Sequence, residues 1–471
     1  MNEFLVIGAL LLSPLLTYAI VLLTIRPLIK RAASSFTKIL MGDPYMENVW
    51  EMVSAFTRIS PRIVVENSLR AAEGKIINRP FGSPRKFLNF DGLVFSPAQL
   101  AIFPAKEDAK VEMKTVIGPL AKKPLTIDIP VLLGGMAYGL GVSEQVRIAQ
   151  AWGTAVVGTA CNIGEGGFLQ EERERAKHLI VQYHTANWGK NADVLKQADA
   201  VEIHIGQGAS AAVPARISPE FLQGKARDIL GLKPDETAVI PRRFNEWNSP
   251  NDLRKVVKEL KQLTGGVPIG IKICASNRLE EDIEYGLLAG VDFISIDGGQ
   301  AGTKGSAPII QDDFGLPTIY ALTRAVHYIT KREMKGKVSL LIGGGINTPG
   351  DALKALALGA DAVYIGTAAL WAMTHTQVVK TIPFEPPTVL AFYSGRMADQ
   401  FNKEEAAYYL SNFLTSFSEE IQVAVKGLGK TNVHDVNQSD LVALDETTSK
   451  ITKVPLAFDP NETAHMTGSK N

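Results

Sequence analysis

The residues best placed to do chemistry fall at the ends of apolar runs. They are Gly135, Met136 and Ala137; Asn162 and Glu165 in NIGEGG; Gln182; His204 and Gln207; Lys272; Asp297 and Gly302; Gly344 and Gly345; and Gly366 and Thr367. Glycines and amides dominate, with one strand-borne lysine. Such a set suits a flat, polar-edged ligand that carries a phosphate. Gly343-Gly344-Gly345 and Gly366-Thr367 each end an apolar run that leads toward a helix-like pattern. Backbone N–H groups in two adjacent loops of this kind can hold a phosphate, and a Cβ there would keep the backbone away from it. A flavin meets these demands. Its ring lies against small residues such as Gly-Gly-Met-Ala, and its N1/O2 edge becomes anionic on reduction. A lysine such as Lys272 would stabilise that charge, while Asn162 and Gln182 read the rest of the edge. No GxGxxG opens a helix after an early strand, which favours FMN over a dinucleotide.

Blander readings stand beside these. Lys272 could be a strand lysine that snorkels to solvent, and Asp297 could be turn chemistry. Glu165 could be a turn residue or a helix cap, and His204, between apolar neighbours, a structural histidine. Cys161 has no obvious partner and reads as an inert thiol, and Cys274 as a packing residue.

Eight apolar runs would position this set: 130–135, 154–160, 179–183, 199–205, 267–274, 291–296, 338–343 and 362–366. Helical patterns between most of them include Asp252–Leu263, Leu279–Leu288, Pro317–Ile329 and Pro349–Leu358. The expected fold is therefore α/β, a (β/α)8 TIM barrel, with active residues at the C-terminal ends of its strands. The pattern divides the chain into 1–30 (a transmembrane anchor), 31–128 (connector and pre-barrel region), 129–376 (barrel) and 377–471 (C-terminal flank and tail). The flank contains one convincing helix, Lys403–Ala424, and residues 46–75 read as helix broken at Pro61.

Phe4–Ile25 is about 22 residues without a charge, enough to cross a hydrocarbon core of roughly 30 Å. Arg26, Lys30 and Arg31 follow it, so the positive-inside rule places the rest of the chain in the cytoplasm, anchored to the cell membrane by a single pass. A cleaved signal peptide would want a basic start, a shorter core and a small-x-small site, none of which is clear. Over all 471 residues, Lys+Arg and Asp+Glu are equal at 49, which gives no general pull toward nucleic acid. Two cysteines, Cys161 and Cys274, cannot build a disulfide framework or a multi-cysteine metal site, and no metal is expected.

Taken in order, the motifs RPFGSPRKFLNFDGLVFSPAQL, GGMAYG, NIGEGG, EIHIGQGA, GIKICA, IDGGQAGTKGSAP and GGGINTPGDALKALALGADAVYIGTAAL resemble the FMN-binding synthase domain of the glutamate synthase family. They are most similar to its stand-alone, single-domain members. The resemblance implies reductive formation of L-glutamate from 2-oxoglutarate and ammonia through 2-iminoglutarate, with electrons from an external donor. It matches Glu165 to the glutamate of the GEGG motif and Lys272 to the strand lysine near the flavin; Gln207 and Asp297, read from the strand ends, complete the catalytic candidates. Gly344, Gly345, Gly366 and Thr367 become the phosphate loops.

The chain departs from the family pattern in four ways. It starts with the apolar segment, where complete synthases carry a glutaminase domain. The segment after GTAAL has no cysteine, so no iron–sulfur cluster is expected. Ser210 stands where the family has a substrate-facing lysine, and Thr185–Gly189 reads TANWG where the family has SGRFG. Arg216, Arg242 or Arg243 could supply the missing cations. Two alternatives stay open: a membrane-linked FMN dehydrogenase acting on another amino or imino acid, and a non-catalytic flavin-binding subunit. The small-molecule partner is an oxo or imino acid, and the reading is compatible with a homo-oligomer.

Overall fold

The computed structural model describes residues 2–79, 82–208, 215–302 and 306–458. They form two compact units, Met1–Ile77 and Asn78–Asn471. The first is helical throughout. One helix of 41 residues, Asn2–Gly42, contains Pro14 and Pro27. Helices Trp50–Arg58 and Pro61–Glu73 follow, and the expected break at Pro61 is real. Ser60 caps the second of these by accepting from the Ile63 N–H at 3.4 Å, with proline at the first position where no N–H is needed. Among the described residues no helix is long and apolar enough to cross a membrane. The span expected at Phe4–Ile25 thus finds no support there, and many of its side chains, including those of residues 4–12, lie outside the described set.

The second unit is built on eight parallel strands: β1 (Val131–Leu133), β2 (Ala160–Asn162), β3 (His178–Tyr183), β4 (Ala200–His204), β5 (Ile269–Cys274), β6 (Phe293–Asp297), β7 (Ser339–Gly343) and β8 (Ala362–Ile365). Their hydrogen-bonded order is β1-β8-β7-β6-β5-β4-β3-β2, a barrel with one seam between β1 and β2. A helix follows each strand, as right-handed parallel crossovers require. Helices 252–263, 279–289, 318–331 and 349–357 fall where the periodicity predicts them. The second strand does not. Thr154–Val157 is the last turn of helix Glu144–Val157, ended by Gly158 in the left-handed conformation, and the strand itself is Ala160–Asn162. A β-branched run reads as strand locally, but here it is a helix end with Thr154 buried and Val156 exposed.

The seam is laced by side chains rather than by a ladder. Thr159 Oγ1 donates to the Val131 carbonyl at 2.5 Å. Arg147, fully buried, donates to the carbonyls of Met136 at 2.7 Å and Asn162 at 2.6 Å. Its charge is met by Glu172, equally buried. The antiparallel ribbon of Thr115–Ile117 with Leu125–Ile127 closes the N-terminal end of the barrel. There Ile117, Leu125 and Ile127 pack onto Leu132, Ile180, Phe293 and Leu341 from the lower interior.

Leu93–Phe95 pairs with Leu441–Ala443, so the pre-barrel region and the C-terminal flank share a small sheet. The long flank helix, Lys403–Gly427, packs against helix 144–157. Close approach needs Gly153, where a Cβ would lie 2.8 Å from Leu410 Cδ2.

Candidate functional site

Inward-facing positions of the strands change character along the barrel. The lower layers are apolar. Above them lies a polar layer: Asn162 on β2, Gln182 on β3, Glu202 on β4, Ser295 on β6 and Tyr364 on β8, all buried. Glu202 is its centre. Its carboxylate accepts from Asn162 Nδ2 at 2.9 Å, Gln182 Nε2 at 2.8 Å, Ser295 Oγ at 2.7 Å and Tyr364 Oη at 3.1 Å. Burial pushes this carboxyl upward, but the nearby Lys272 charge and the hydrogen bonds overcome it and hold it below the ordinary range.

One step higher, Lys272 Nζ lies 3.0 Å from Asp297 Oδ2, and both side chains are almost completely buried. The lysine sits 5.3 Å over the Tyr364 ring. Burial alone would lower it; Asp297 and Glu202 more than offset that, so the ammonium is held above its ordinary value. It is therefore a fixed positive charge and not a snorkelling side chain, and Asp297 is its counter-ion rather than turn chemistry.

Glu165, in the loop after β2, pairs through Oε1 with His204 Nδ1 at 2.9 Å. Burial opposes ionisation of Glu165, but His204, His184 and Lys272 pull its pKa down to about 2. Glu165 and His204 thus form one pair between the loop after β2 and the end of β4. His184 is pushed down to about 4, chiefly by burial, so it is neutral near pH 7. Trp188 of the TANWG segment ties this loop to the next, with Nε1 donating to the Glu165 carbonyl at 2.9 Å.

The rest of the expected set surrounds this core. Gly134–Ala137 are only half-buried, beside the fully buried β1. The shortest distances from a Cβ at Gly135 would be 3.0 Å to Gln182 Nε2 and 3.1 Å to Asn162 Oδ1. A Cβ at Gly134 or Gly366 would meet only ordinary contacts, the nearest atoms being 3.5 Å and 3.9 Å away. A flat ring with polar edges fits a glycine floor of this kind, flanked by two amides and a lysine. Gly344 and Gly345 take left-handed φ values of 109° and 73°, which only glycine adopts freely. Their loop adjoins that of Gly366 and Thr367 because Gly343 is in register with Tyr364. Thr318 Oγ1 pins it by donating to the Gly344 carbonyl at 2.8 Å.

Gln207 precedes Gly208, which packs on the Ala301 backbone, and Gly302 lies against Gly82. Ser210 and residues 303–305 lie outside the described residues. Arg216, Arg242 and Arg243 are exposed, and none reaches Lys272 or Glu165 through an observed contact. Cys161 is buried, with its thiol pushed up to about 12, and Cys274 is raised to about 11, both mainly by burial; neither is a nucleophile. Sequence reasoning missed Glu202, Ser295, Tyr364 and the Arg147–Glu172 pair. Glu202 alone left a signal, as a charged residue two positions from His204 in an otherwise apolar strand.

A family model described as a conserved region in glutamate synthase matches residues 93–431. A glutamate synthase large subunit-like protein of Rhizobium meliloti (strain 1021) is 30% identical over 406 residues, covering 82% of this chain and 91% of that protein. An archaeal-type NADPH glutamate synthase of Thermotoga maritima is 31% identical over 324 residues, 69% of this chain and 63% of that protein. The chain thus spans a little under two thirds of the latter. Among solved structures, a mandelate oxidase variant with a monooxide FMN adduct is 16% identical with a TM-score of 0.46, covering 74% of this chain and 87% of that one. An overlay that loose carries no argument about chemistry.

Proposed function

This chain belongs to the glutamate synthase family, and from that premise we propose an FMN-dependent oxidoreductase that forms L-glutamate from 2-oxoglutarate and ammonia through 2-iminoglutarate. The observation that carries the reading is the mouth of the barrel. A half-buried glycine floor lies beside the amides of Asn162 and Gln182, and the ion-paired Lys272 stands on the same end of the barrel. Gly135, Met136 and Ala137 would underlie the flavin ring, Lys272 would face its N1/O2 edge, and Gly344, Gly345, Gly366 and Thr367 would hold its phosphate. Reduced FMN, when bound, supplies the hydride for the imine carbon.

The chain's own residues do the rest. Lys272 holds a positive charge where negative charge develops, without reorganisation, because Asp297 and the barrel wall fix it. Glu202 locks the two amides in one orientation, so their outward-facing atoms are preset. Electrons come from an external donor.

A second reading keeps FMN and changes the amino acid. It is favoured by Asn187, which stands where the family's SGRFG segment carries its arginine. One experiment separates the two. FMN-loaded, chemically reduced protein is mixed with saturating 2-oxoglutarate and ammonium. Accelerated flavin reoxidation with one glutamate per flavin is expected. Unchanged reoxidation ends the glutamate reading, and acceleration by a different oxo acid with ammonium establishes the second.

The proposal includes attachment to the cell membrane through Phe4–Ile25, with the barrel on the cytoplasmic side. It is supported by the charge-free run and by the cations that follow it within helix 2–42. The full chain should stay with membranes through an alkaline carbonate wash; recovery in the wash would remove the anchor.

A further inference from the structure

On β4 two polar side chains face inward among apolar neighbours, Glu202 and His204. Glu202 is saturated by its four donors. His204 is not. Its Nδ1 edge is taken by Glu165 at 2.9 Å, while Nε2 is buried and has no hydrogen-bond partner among the described residues. A buried donor left in this state is destabilising, so it needs a reason.

The neighbours cannot satisfy it. Asn162 and Gln182 are committed to Glu202, and Lys272 to Asp297. His184 accepts from the Ala186 N–H at 3.4 Å and carries no charge near neutrality. Within the polar mouth described above, His204 Nε2 is buried without a partner among the described residues.

We propose that His204, held by Glu165, is the catalytic acid that delivers a proton to the substrate nitrogen. This rests on the functional reading above. Imine reduction needs a hydride at carbon and a proton at nitrogen. The hydride pair comes from the reduced flavin. The proton leaves His204 Nε2 as the new substrate N–H bond forms, and the electron pair of the broken bond stays on the ring. Glu165 keeps its charge throughout and steadies the imidazolium beforehand.

The surrounding charges suit that role. Burial disfavours the imidazolium, and so does Lys272 on the neighbouring strand. Glu165 and Glu202 favour it and prevail, so His204 is held above its ordinary value. The side chains of His204 and Glu165 are 10% and 20% exposed, so the pair lies at the edge of the buried polar layer. In the glutamate-forming direction the rate should therefore fall as pH rises through the raised His204 pKa.

The test uses the full-length, FMN-loaded protein. In His204→Asn the shorter amide can still meet Glu165, but nothing replaces Nε2. Reoxidation of the reduced flavin by 2-oxoglutarate and ammonium should slow about 100-fold or more. Affinity for 2-oxoglutarate, read from the flavin spectrum, should hold, and the alkaline fall in rate should vanish. Reoxidation within about threefold of wild type, with that fall intact, overturns the proposal. His204→Gln serves if the asparagine variant loses FMN.

A second readout needs no turnover. In 15N-histidine-labelled wild type, the Nε2 resonance missing from the variant should move on addition of L-glutamate. A resonance that does not move overturns contact with the substrate. If wild type fails to turn over but the resonance moves, the glutamate-forming reading fails while the His204 contact stands.

Discussion

Replacing Glu202 with alanine is expected to abolish or nearly abolish folding of the barrel. The carboxylate is completely buried and accepts from four side chains on four different strands. Its removal orphans Asn162, Gln182, Ser295 and Tyr364 donors at once and takes from Lys272 one of the carboxylates that hold its charge. Breaking a buried charge partnership costs about 3–5 kcal/mol, and each donor left unpaired about 1–3 kcal/mol. These terms share partners and do not add simply. Even the first consumes much of a domain stability of about 5–15 kcal/mol. Urea denaturation checks it, with Glu202→Gln as the milder comparison. Glutamine keeps the shape and can still accept on one oxygen, but its NH2 group must face the hydroxyls of Ser295 or Tyr364. We expect a loss of about 2–4 kcal/mol for that variant. A wild-type urea midpoint in Glu202→Ala would refute the account of Glu202 as the centre of the polar layer.

Lys272→Met should give the largest functional change. Methionine matches the stem of the lysine and removes the charge, so Asp297 and Glu202 face the flavin site without compensation. Two such charges near 4 Å interact by about 4 kcal/mol at the effective dielectric of a protein surface. For a two-electron couple about 1.4 kcal/mol corresponds to 30 mV, so the flavin midpoint should fall by roughly 50–100 mV after partial screening. FMN should be held more weakly, and reduction should become slower than in wild type. The double variant Lys272→Met/Asp297→Asn removes both charges of the pair and should recover part of both stability and potential. Spectroelectrochemistry of the two variants is the measurement. If Lys272→Met keeps the wild-type potential, the lysine does not face the reducible edge of the ring.

Much of this site could be read along the chain because barrel geometry converts strand ends into a common surface. Gly135, Asn162, Gln182, Lys272, Asp297 and Gly344 each end, or closely follow, an apolar run, and the fold gathers such positions at one mouth. The second strand was misplaced because Thr154–Val157 has strand-like residues but lies on a helix ended by Gly158. Local composition cannot separate such a helix end from a short strand, whereas the glycine that follows could have done so.

By itself the sequence determined the parallel barrel, the order of its strands and crossovers, and the loops from which polar residues emerge. These follow from hydrophobic periodicity and from glycine's backbone freedom, both local properties. Only the tertiary structure decided which polar residues meet. Glu202 collects donors from residues 40, 20, 93 and 162 positions away. Arg147 closes the seam with Glu172 from a different helix, and His204 finds Glu165 across the mouth. Partnerships of this kind depend on which side chains burial forces together, and a single sequence carries no period or spacing that records them.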